Sequence, residues 1–492
     1  MSTQTTIDSD ELFIGGDWIK PEGSGRITVL SASTEEPVGS VPDGTNADID
    51  AAVRAARRAF DDPSGWSSWS SEERAQALER LAAALVGRGE QIAQRVSVQN
   101  GMPISFALQV EAVFPAALAY YYAGLIRQLP LAEERQGLLG GTIQVLRKPV
   151  GVVGAIVPWN YPQTLAMFKL APLLAAGCTV VMKPSPETVL DGLLLAEAII
   201  EAGLPPGVVN LVPAGREVGA YLVEHPGIDK VTFTGSSASG RTIARRCGEL
   251  LRPVTLELGG KSAAIVLDDA DLAGATEALF AATMANNGQT CNIGTRVLAP
   301  RARYDEVLEV FSGLAEALVV GDSLDPATQV GPMASARQRE RVEGYIEKGR
   351  AEGGRIVAGG GRPQEQERGW FVQPTIFADV ANSDTIAREE IFGPVLAVIP
   401  YDGVDDAVAI ANDSEFGLGG SVWSRDPEHA KAIARRVQTG SIGINHYMLD
   451  PAAPFGGVKA SGIGRELGPE GLDAYFQLQS VYEAAPEVAA TS

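Results

Sequence analysis

Val231-Thr232-Phe233-Thr234-Gly235-Ser236-Ser237-Ala238-Ser239-Gly240-Arg241-Thr242 takes the chain from an apolar strand, through a glycine- and serine-rich turn, into a helix. Such a turn leaves backbone N–H groups free at the positive end of the helix dipole, which suits an anion. The spacing also approaches Gly-x4-Gly-Lys-Thr, the loop that cradles nucleotide phosphates. Arg241, however, stands where the slim point charge of a lysine belongs. A dinucleotide pyrophosphate therefore fits better than a transferring phosphate. A plain tight turn fits the same residues equally well, so the turn alone leaves both readings open.

Strands and helices alternate regularly around this turn. Strands are expected over Val152–Val157, Thr179–Met182, Val208–Val212, Lys230–Phe233 and Pro253–Leu258. Helices are expected over Gln163–Ala176, Val189–Ala202, Val218–Glu224 and Ser237–Glu249. This order implies parallel crossovers and a doubly wound sheet, with ligands at the carboxyl ends of its strands. A second βα-rich stretch runs from about Ala263 to Gln438, with strands over Ala263–Leu267, Thr295–Ala299, Phe371–Phe377 and Val395–Ile399; Thr439–Ile444 is a further candidate. Two α/β domains facing a cleft follow. Ahead of them, Ser70 and Glu73 form a capping box, and Leu78, Leu81, Leu85, Ile92 and Val96 share roughly one helical face. Asn100-Gly101-Met102-Pro103 stops that helix, and a second apolar helix covers about Val110 to Gln128.

The bulk properties narrow the function classes. At 492 residues, two or three domains are expected. Forty basic against 61 acidic residues give a net charge of −21, which repels a phosphate backbone over most of the surface, so no nucleic-acid partner is expected. The start of the chain has no basic and apolar leader pattern, and apolar stretches such as Pro149–Pro158 are too short to span a bilayer. The three cysteines, Cys178, Cys247 and Cys291, have no metal-type spacing with the three histidines. A reduced cytoplasmic setting, no membrane and no metal are the expectations.

Four short stretches carry candidate chemistry. Cys291, in Asn286-Asn287-Gly288-Gln289-Thr290-Cys291-Asn292, sits among polar and small residues, which is not the setting of a core-filling cysteine. Cys178 enters an apolar strand and Cys247 lies on a helix, and both fit a buried small hydrophobe better. Glu257, in Leu256-Glu257-Leu258-Gly259-Gly260-Lys261, ends an apolar strand, where desolvation raises a carboxyl toward a useful base. An ion pair with Lys261 is the other reading, although the glycine pair favours close approach of a ligand. Asn160, between Pro158 and Pro162, can hold a fixed N–H donor for an oxyanion, or simply form a turn.

Together these stretches resemble the aldehyde dehydrogenase superfamily. The resemblance runs from about Phe13 to Val481, opening on Phe13-Ile14-Gly15-Gly16 with Trp18. It is carried by Pro158-Trp159-Asn160, Lys183-Pro184-Ser185, Phe233-Thr234-Gly235-Ser236, Glu257-Leu258-Gly259-Gly260-Lys261, Gly288-Gln289-x-Cys291, Glu390-Ile391-Phe392-Gly393-Pro394 and Pro454-Phe455-Gly456-Gly457, in family order. The resemblance implies an aldehyde-dehydrogenase-like α/β fold with a Rossmann-type cofactor domain, an α/β catalytic domain and a small β oligomerisation segment. The corresponding division is 1–126 with 147–256, then 257–465, then 127–146 with 466–492. The segment Arg127–Leu146 would pair with the tail near Leu472–Tyr482, in a homodimer or homotetramer.

By the same resemblance, Cys291 attacks the aldehyde, and the Asn160 side chain and the Cys291 N–H hold the oxyanion. Hydride passes to NAD, a thioester remains, and Glu257 activates the hydrolytic water. Lys169 and Glu466 match positions linked to proton relay. Ile156, Pro158, Trp159, Lys183, Ser185, Gly215, Phe233, Gly235, Ser236, Leu258, Gly259, Glu390 and Phe392 match cofactor positions. Tyr161, Leu165, Phe168, Ala285, Thr290, Asn292, Met448 and Phe455 match positions lining the aldehyde tunnel.

Two departures shape the expectation. Pro186, followed by Glu187, replaces a glutamate that often binds the adenine-side ribose, which leaves NADP possible beside NAD. Ala285 replaces an aromatic residue and widens the tunnel, which points to a medium or large hydrophobic aldehyde. The alternative is a relative that releases an acyl-coenzyme A or phosphorylates its semialdehyde substrate. A catalytically silent protein of this fold and a nucleotide hydrolase are further alternatives. The intact Cys291, Glu257 and Asn160 set speaks against the first of these, and Arg241 against the second.

Overall fold

The computed structural model describes residues 6–484. Three sheets organise them, with a small outer sheet formed by Ile7–Asp8, Pro37–Pro42 and Arg26–Leu30.

The first large sheet has eight strands in the order Gly462–Ile463, Val254–Glu257, Lys230–Thr234, Val152–Ile156, Thr179–Lys183, Val209–Leu211, Leu12–Ile14, Asp17–Ile19. Its five central strands are parallel. From Val152–Ile156 the chain first winds one way, to Thr179–Lys183 and Val209–Leu211. It then crosses to the other side, to Lys230–Thr234 and Val254–Glu257. The winding reverses between Val152–Ile156 and Lys230–Thr234, and a crevice opens there at the carboxyl ends. Ile156 and Phe233 face each other across that point.

The second sheet has seven strands, ordered Arg355–Ala358, Thr375–Ala378, Val395–Tyr401, Arg296–Pro300, Ala263–Val266, Gly420–Trp423, Gly443–Ile444. The expected strand Phe371–Phe377 starts only at Thr375, because Pro374 has no N–H to give to a ladder. Of Thr439–Ile444 only Gly443–Ile444 pairs. Gly420–Trp423, unread in the sequence, lies inside this sheet between Ala263–Val266 and the edge strand Gly443–Ile444.

The third sheet is an antiparallel arm in which Thr142–Pro149 pairs with Ala132–Gln136 and with Phe476–Glu483. Its middle strand carries the arm to residue 149, and Gly462–Ile463 lies alongside the first sheet rather than the second.

The helices follow from their caps. Ser70 accepts from the Glu73 N–H at 3.2 Å, and Glu73 accepts from the Ser70 N–H at 2.7 Å, which starts the helix Ser71–Val86. The expected helix Val110–Gln128 is interrupted. One helix spans Ile104–Gln109 and the next Phe114–Gln128, because Pro115 cannot continue a preceding turn. This stretch passes for a membrane span by length and apolarity, with a mean hydropathy of 1.3. In the fold, its second helix buries Leu118, Ala119, Tyr122, Ala123 and Ile126 in the core of the first unit. The helix Pro162–Ala176 is buried along its whole length, which is why its sequence is almost continuously apolar.

Candidate active site

The cofactor crevice is built from the switch point outward. Ser236 caps the helix Ser237–Glu249, its hydroxyl accepting from the Ser239 N–H at 3.3 Å. A Cβ on Gly240 would lie 2.4 Å from the Leu258 side chain, which would have to shift, so glycine favours this close approach of helix and strand end. Lys183 is buried, donates to the Pro184 and Ala214 carbonyls at 2.9 and 2.8 Å, and is pushed down to about 8 by burial. A Cβ on Gly219 would fall 3.2 Å from the lysine stem, leaving a groove along it. The Gly215 N–H donates to Asp43 at 3.2 Å and opens the helix Arg216–Glu224.

On the far wall, Glu390 accepts from the Gly260 N–H at 2.9 Å, and burial pushes it up to about 7. A Cβ on Gly259 would lie 2.5 Å from its carboxylate. Trp159 and Phe392 meet edge to face with centroids 5.4 Å apart, and Phe392 holds a left-handed backbone at φ 64°. The crevice thus has a helix N-terminus, a buried cation, a carboxylate at each side and glycines where a backbone must come close. It fits a dinucleotide such as NAD.

Ser185 donates to Glu187 at 2.5 Å, and Glu187 is paired with Arg337 at 2.9 Å. A carboxylate therefore stands at this site although Pro186 occupies the expected position. Together with Asp43 it acts on Lys183.

Cys291 follows three consecutive left-handed residues, Asn286, Asn287 and Gly288, at φ 53°, 60° and 73°. Asparagine tolerates that conformation, and a Cβ at Gly288 would meet the Gly393 carbonyl at 2.1 Å. The polar side chains pin the loop. Asn287 donates to the Gly101 and Pro332 carbonyls, Asn286 to that of Asn160, and Gln289 accepts from the Ala334 N–H. Asn100 in turn holds the Trp159 and Asn160 carbonyls at 3.0 and 3.1 Å. One hydrogen of the Asn160 amide goes to the Gln289 carbonyl at 3.0 Å, and the other has no acceptor among the described residues.

Burial pushes the Cys291 thiol well up, and the carboxylates Glu390 and Glu257 push it further. Glu257 is also held well above the usual carboxylate range, first by burial and then by the charge of Glu466, with Lys169 opposing. Neither Glu257 oxygen has a hydrogen-bond partner, and a Cβ at Gly456 would lie 2.6 Å from one of them. Lys169 donates to Glu466 at 2.5 Å and to Thr234 at 2.6 Å, fully buried.

Tyr161, Leu165, Phe168 and Phe455 gather in the core on which Cys291 packs. The Tyr161 and Thr290 hydroxyls share a hydrogen bond of 2.7 Å, and Thr290 also donates to the Ala285 carbonyl. Met448 does not join them, because its side chain is 79% exposed. Its neighbour Tyr447 turns inward instead, to the Ser441 hydroxyl at 2.6 Å and toward Asn292 and Cys291, in room left by Gly419.

Phe106, Phe114 and Leu449 pack on the same cluster and were not singled out in the sequence. Phe106 meets Tyr161 at 6.3 Å, Phe114 meets Phe168 at 6.1 Å, and Phe168 meets Phe455 at 6.3 Å. Phe106 and Phe114 are about fifty residues from Tyr161 in the chain, so no local pattern marks them.

A family model described as aldehyde dehydrogenase family matches residues 18–481. Geranial dehydrogenase from Castellaniella defragrans is 58% identical over 97% of this chain and 99% of its own. The structure of an aldehyde dehydrogenase from Mycobacterium tuberculosis complexed with NAD+ superposes with a TM-score of 0.96 at 49% identity, covering 98% of this chain and 100% of that one. Aldehyde dehydrogenase C from Pseudomonas syringae, in complex with NAD+ and octanal, gives 0.93 at 40% identity over 99% and 98%.

Proposed function

This chain belongs to the aldehyde dehydrogenase family, and on that premise we propose that it oxidises a medium or large hydrophobic aldehyde through a thioester on Cys291. The reaction class is NAD-dependent oxidation of an aldehyde to a carboxylic acid. When bound, NAD would supply the hydride acceptor; burial by itself raises the Cys291 thiol above its usual range. Cys291 adds to the aldehyde carbon, and the second Asn160 amide hydrogen and the Cys291 N–H take the oxyanion. Lys183 and Glu390 would hold the two riboses, and the N-terminus of Ser237–Glu249 would take the pyrophosphate.

Glu257 then draws a proton from the water that hydrolyses the thioester. Its burial and lack of a partner support that role, because a paired carboxylate would be a weaker base. They also disfavour a reaction releasing acyl-coenzyme A, which needs no water base.

The aromatic box of Phe106, Phe114, Tyr161, Phe168 and Phe455 carries the substrate assignment. The side chains that gather here are aromatic and aliphatic, which suits an apolar chain better than one bearing a carboxylate. The geranial dehydrogenase and the octanal complex among the relatives point the same way. A kcat/KM series over aldehydes of rising size tests this. Each buried methylene is worth about 0.8 kcal/mol, so efficiency should climb from acetaldehyde to eight- and ten-carbon aldehydes. Ala285→Phe should depress only the bulky members. Highest efficiency with the two-carbon substrate would defeat the assignment.

We read the three sheets as a cofactor unit, a catalytic unit and an oligomerising arm, and the assembly as a homodimer or homotetramer. Three free cysteines suit a reducing cytoplasm. The acidic pair Glu187 and Asp43 favours NAD over NADP.

A further inference from the structure

Two of the largest fully buried side chains are cations without a counterion. Lys261 and Arg296 are 1% and 2% exposed. Lys261 stands just ahead of the strand Ala263–Val266, and Arg296 opens the strand beside it, opposite Ala263. The ion pair of Lys261 with Glu257 that the sequence allowed does not form: neither the Lys261 amine nor either Glu257 oxygen has a partner. Arg296 donates to the Lys261, Ile410 and Ala411 carbonyls and to the Asn382 side-chain oxygen, all at 2.9 Å and all neutral. The Glu390 carboxylate acts on Lys261 only from beyond bonding distance, and the positive charge of Arg296 opposes it. A buried charge is normally paired, because taking it out of water alone is unfavourable.

Both residues border a cavity of about 250 Å³, completed by Ser262 and residues 416–419. The exposed Gln438 and the half-buried Thr439 stand at its mouth. An ammonium carries three hydrogens and a guanidinium five. All three of Lys261 and one of Arg296 have no acceptor among the described residues. The Ser262 hydroxyl accepts from the Gly419 N–H at 3.3 Å, and its own hydrogen has no acceptor among the described residues. The residues around the cavity thus hold two positive charges and several unused donors, and no carboxylate is among them.

We propose that this cavity binds a small oxyanion of the sulfate or phosphate class, held by Lys261, Arg296 and Ser262. None of the cofactor residues named above borders it, so the site is separate from the dinucleotide crevice. The free donors start from two neighbouring strands. An ion with several oxygens reaches more of them than a single-centred halide, and hydrogen bonds between charged groups are the strong ones. The other charged groups nearby are Glu390 toward Lys261, Arg388 and Asp413 toward Arg296, and Lys459, which bonds the Asn412 and Ser414 carbonyls. An ion here also steadies one wall of the candidate active site. Lys261 directly follows Gly260, whose N–H holds Glu390 at 2.9 Å and where a Cβ would lie 2.2 Å from the Cys291 carbonyl.

The test is the melting temperature of the NAD-saturated enzyme, titrated with sodium sulfate at constant ionic strength made up with sodium chloride. Sulfate keeps its charge across neutral pH, so any pH dependence belongs to the protein. The expected result at pH 6.5 is a saturating rise of a few degrees in the wild type, absent in Lys261→Met and shifted to higher sulfate in Ser262→Ala. Burial and the charge of Arg296 push Lys261 down to about 7, so the apparent affinity should fall about tenfold per pH unit above that value, as the ammonium loses its proton. An equal rise in Lys261→Met is a general salt effect and overturns the site. A rise seen only without NAD puts the ion in the cofactor crevice, and no rise leaves the cavity to water; each of these overturns the proposal too. Should Lys261→Met fail to fold, the other two readings decide: an unchanged midpoint in Ser262→Ala with a flat pH profile overturns the site.

Discussion

At the scale of single residues, the site sets two acids against their own burial. Cys291 and Glu257 are both pushed above their usual ranges by desolvation and by neighbouring carboxylates. Both acylation and hydrolysis should therefore speed up as pH rises. Cys291→Ala is expected to abolish aldehyde oxidation while NAD still binds, as read by cofactor titration alongside turnover. Glu257→Gln should keep the hydride burst and slow hydrolysis by about 10²–10⁴, with a flattened pH profile. A Glu257→Gln enzyme that retains the wild-type pH profile would remove the base from the scheme. The residues proposed for the chemistry stood out in the sequence because their types do not suit a core: a cysteine among asparagines, a glutamate ending a strand. Tyr447 was not. The sequence offered Met448 as the apolar lining residue, but neighbours in an extended segment point opposite ways, and Gly419 makes room for the tyrosine.

At the scale of elements, Glu111 shows what periodicity alone cannot see. It sits in the break between the helices Ile104–Gln109 and Phe114–Gln128, buried, and accepts from the Gln163 N–H at 2.8 Å. It thus caps the helix that carries Leu165, Phe168 and Lys169. A continuous helix Val110–Gln128 would have hidden this, and Pro115 was the overlooked signal. Burial raises Glu111 from 4.5 to about 8. Between those values the folded chain binds a proton that the unfolded chain has released, so this group's contribution to stability falls as pH rises from about 4.5 to 8. Glu111→Gln stays neutral and keeps an acceptor oxygen. Melting curves of both proteins at pH 5.5 and 8.5 should show the variant gaining on the wild type at the higher pH. A constant difference between them would mean that Glu111 is ionised at both.

At the scale of the whole molecule, the alternating first unit was readable because each buried strand is a short apolar run between glycine or proline signals. The second unit was less so. Gly420–Trp423 is an interior strand of four residues beginning with glycine, and only its partners on either side make it one. The arm was expected from resemblance alone, and its exposed surface makes the proposed subunit contact testable. Phe476–Glu483 pairs on one side with Thr142–Pro149 and leaves its other edge unpaired among the described residues. Leu478 and Tyr482, on one face of it, are 69% and 76% exposed, and Leu138 and Leu139 at the tip of the hairpin are fully exposed. An open, apolar strand edge invites pairing with another chain, and a soluble protein normally blunts it with lysine or proline. In a net-acidic molecule such a patch is also where two copies meet with least repulsion. Leu478→Lys with Tyr482→Lys should therefore lower the mass seen by light scattering toward 51.6 kDa. The far-ultraviolet spectrum should stay native, because neither side chain belongs to a core. A variant that keeps the wild-type mass would place the subunit contact somewhere other than this strand.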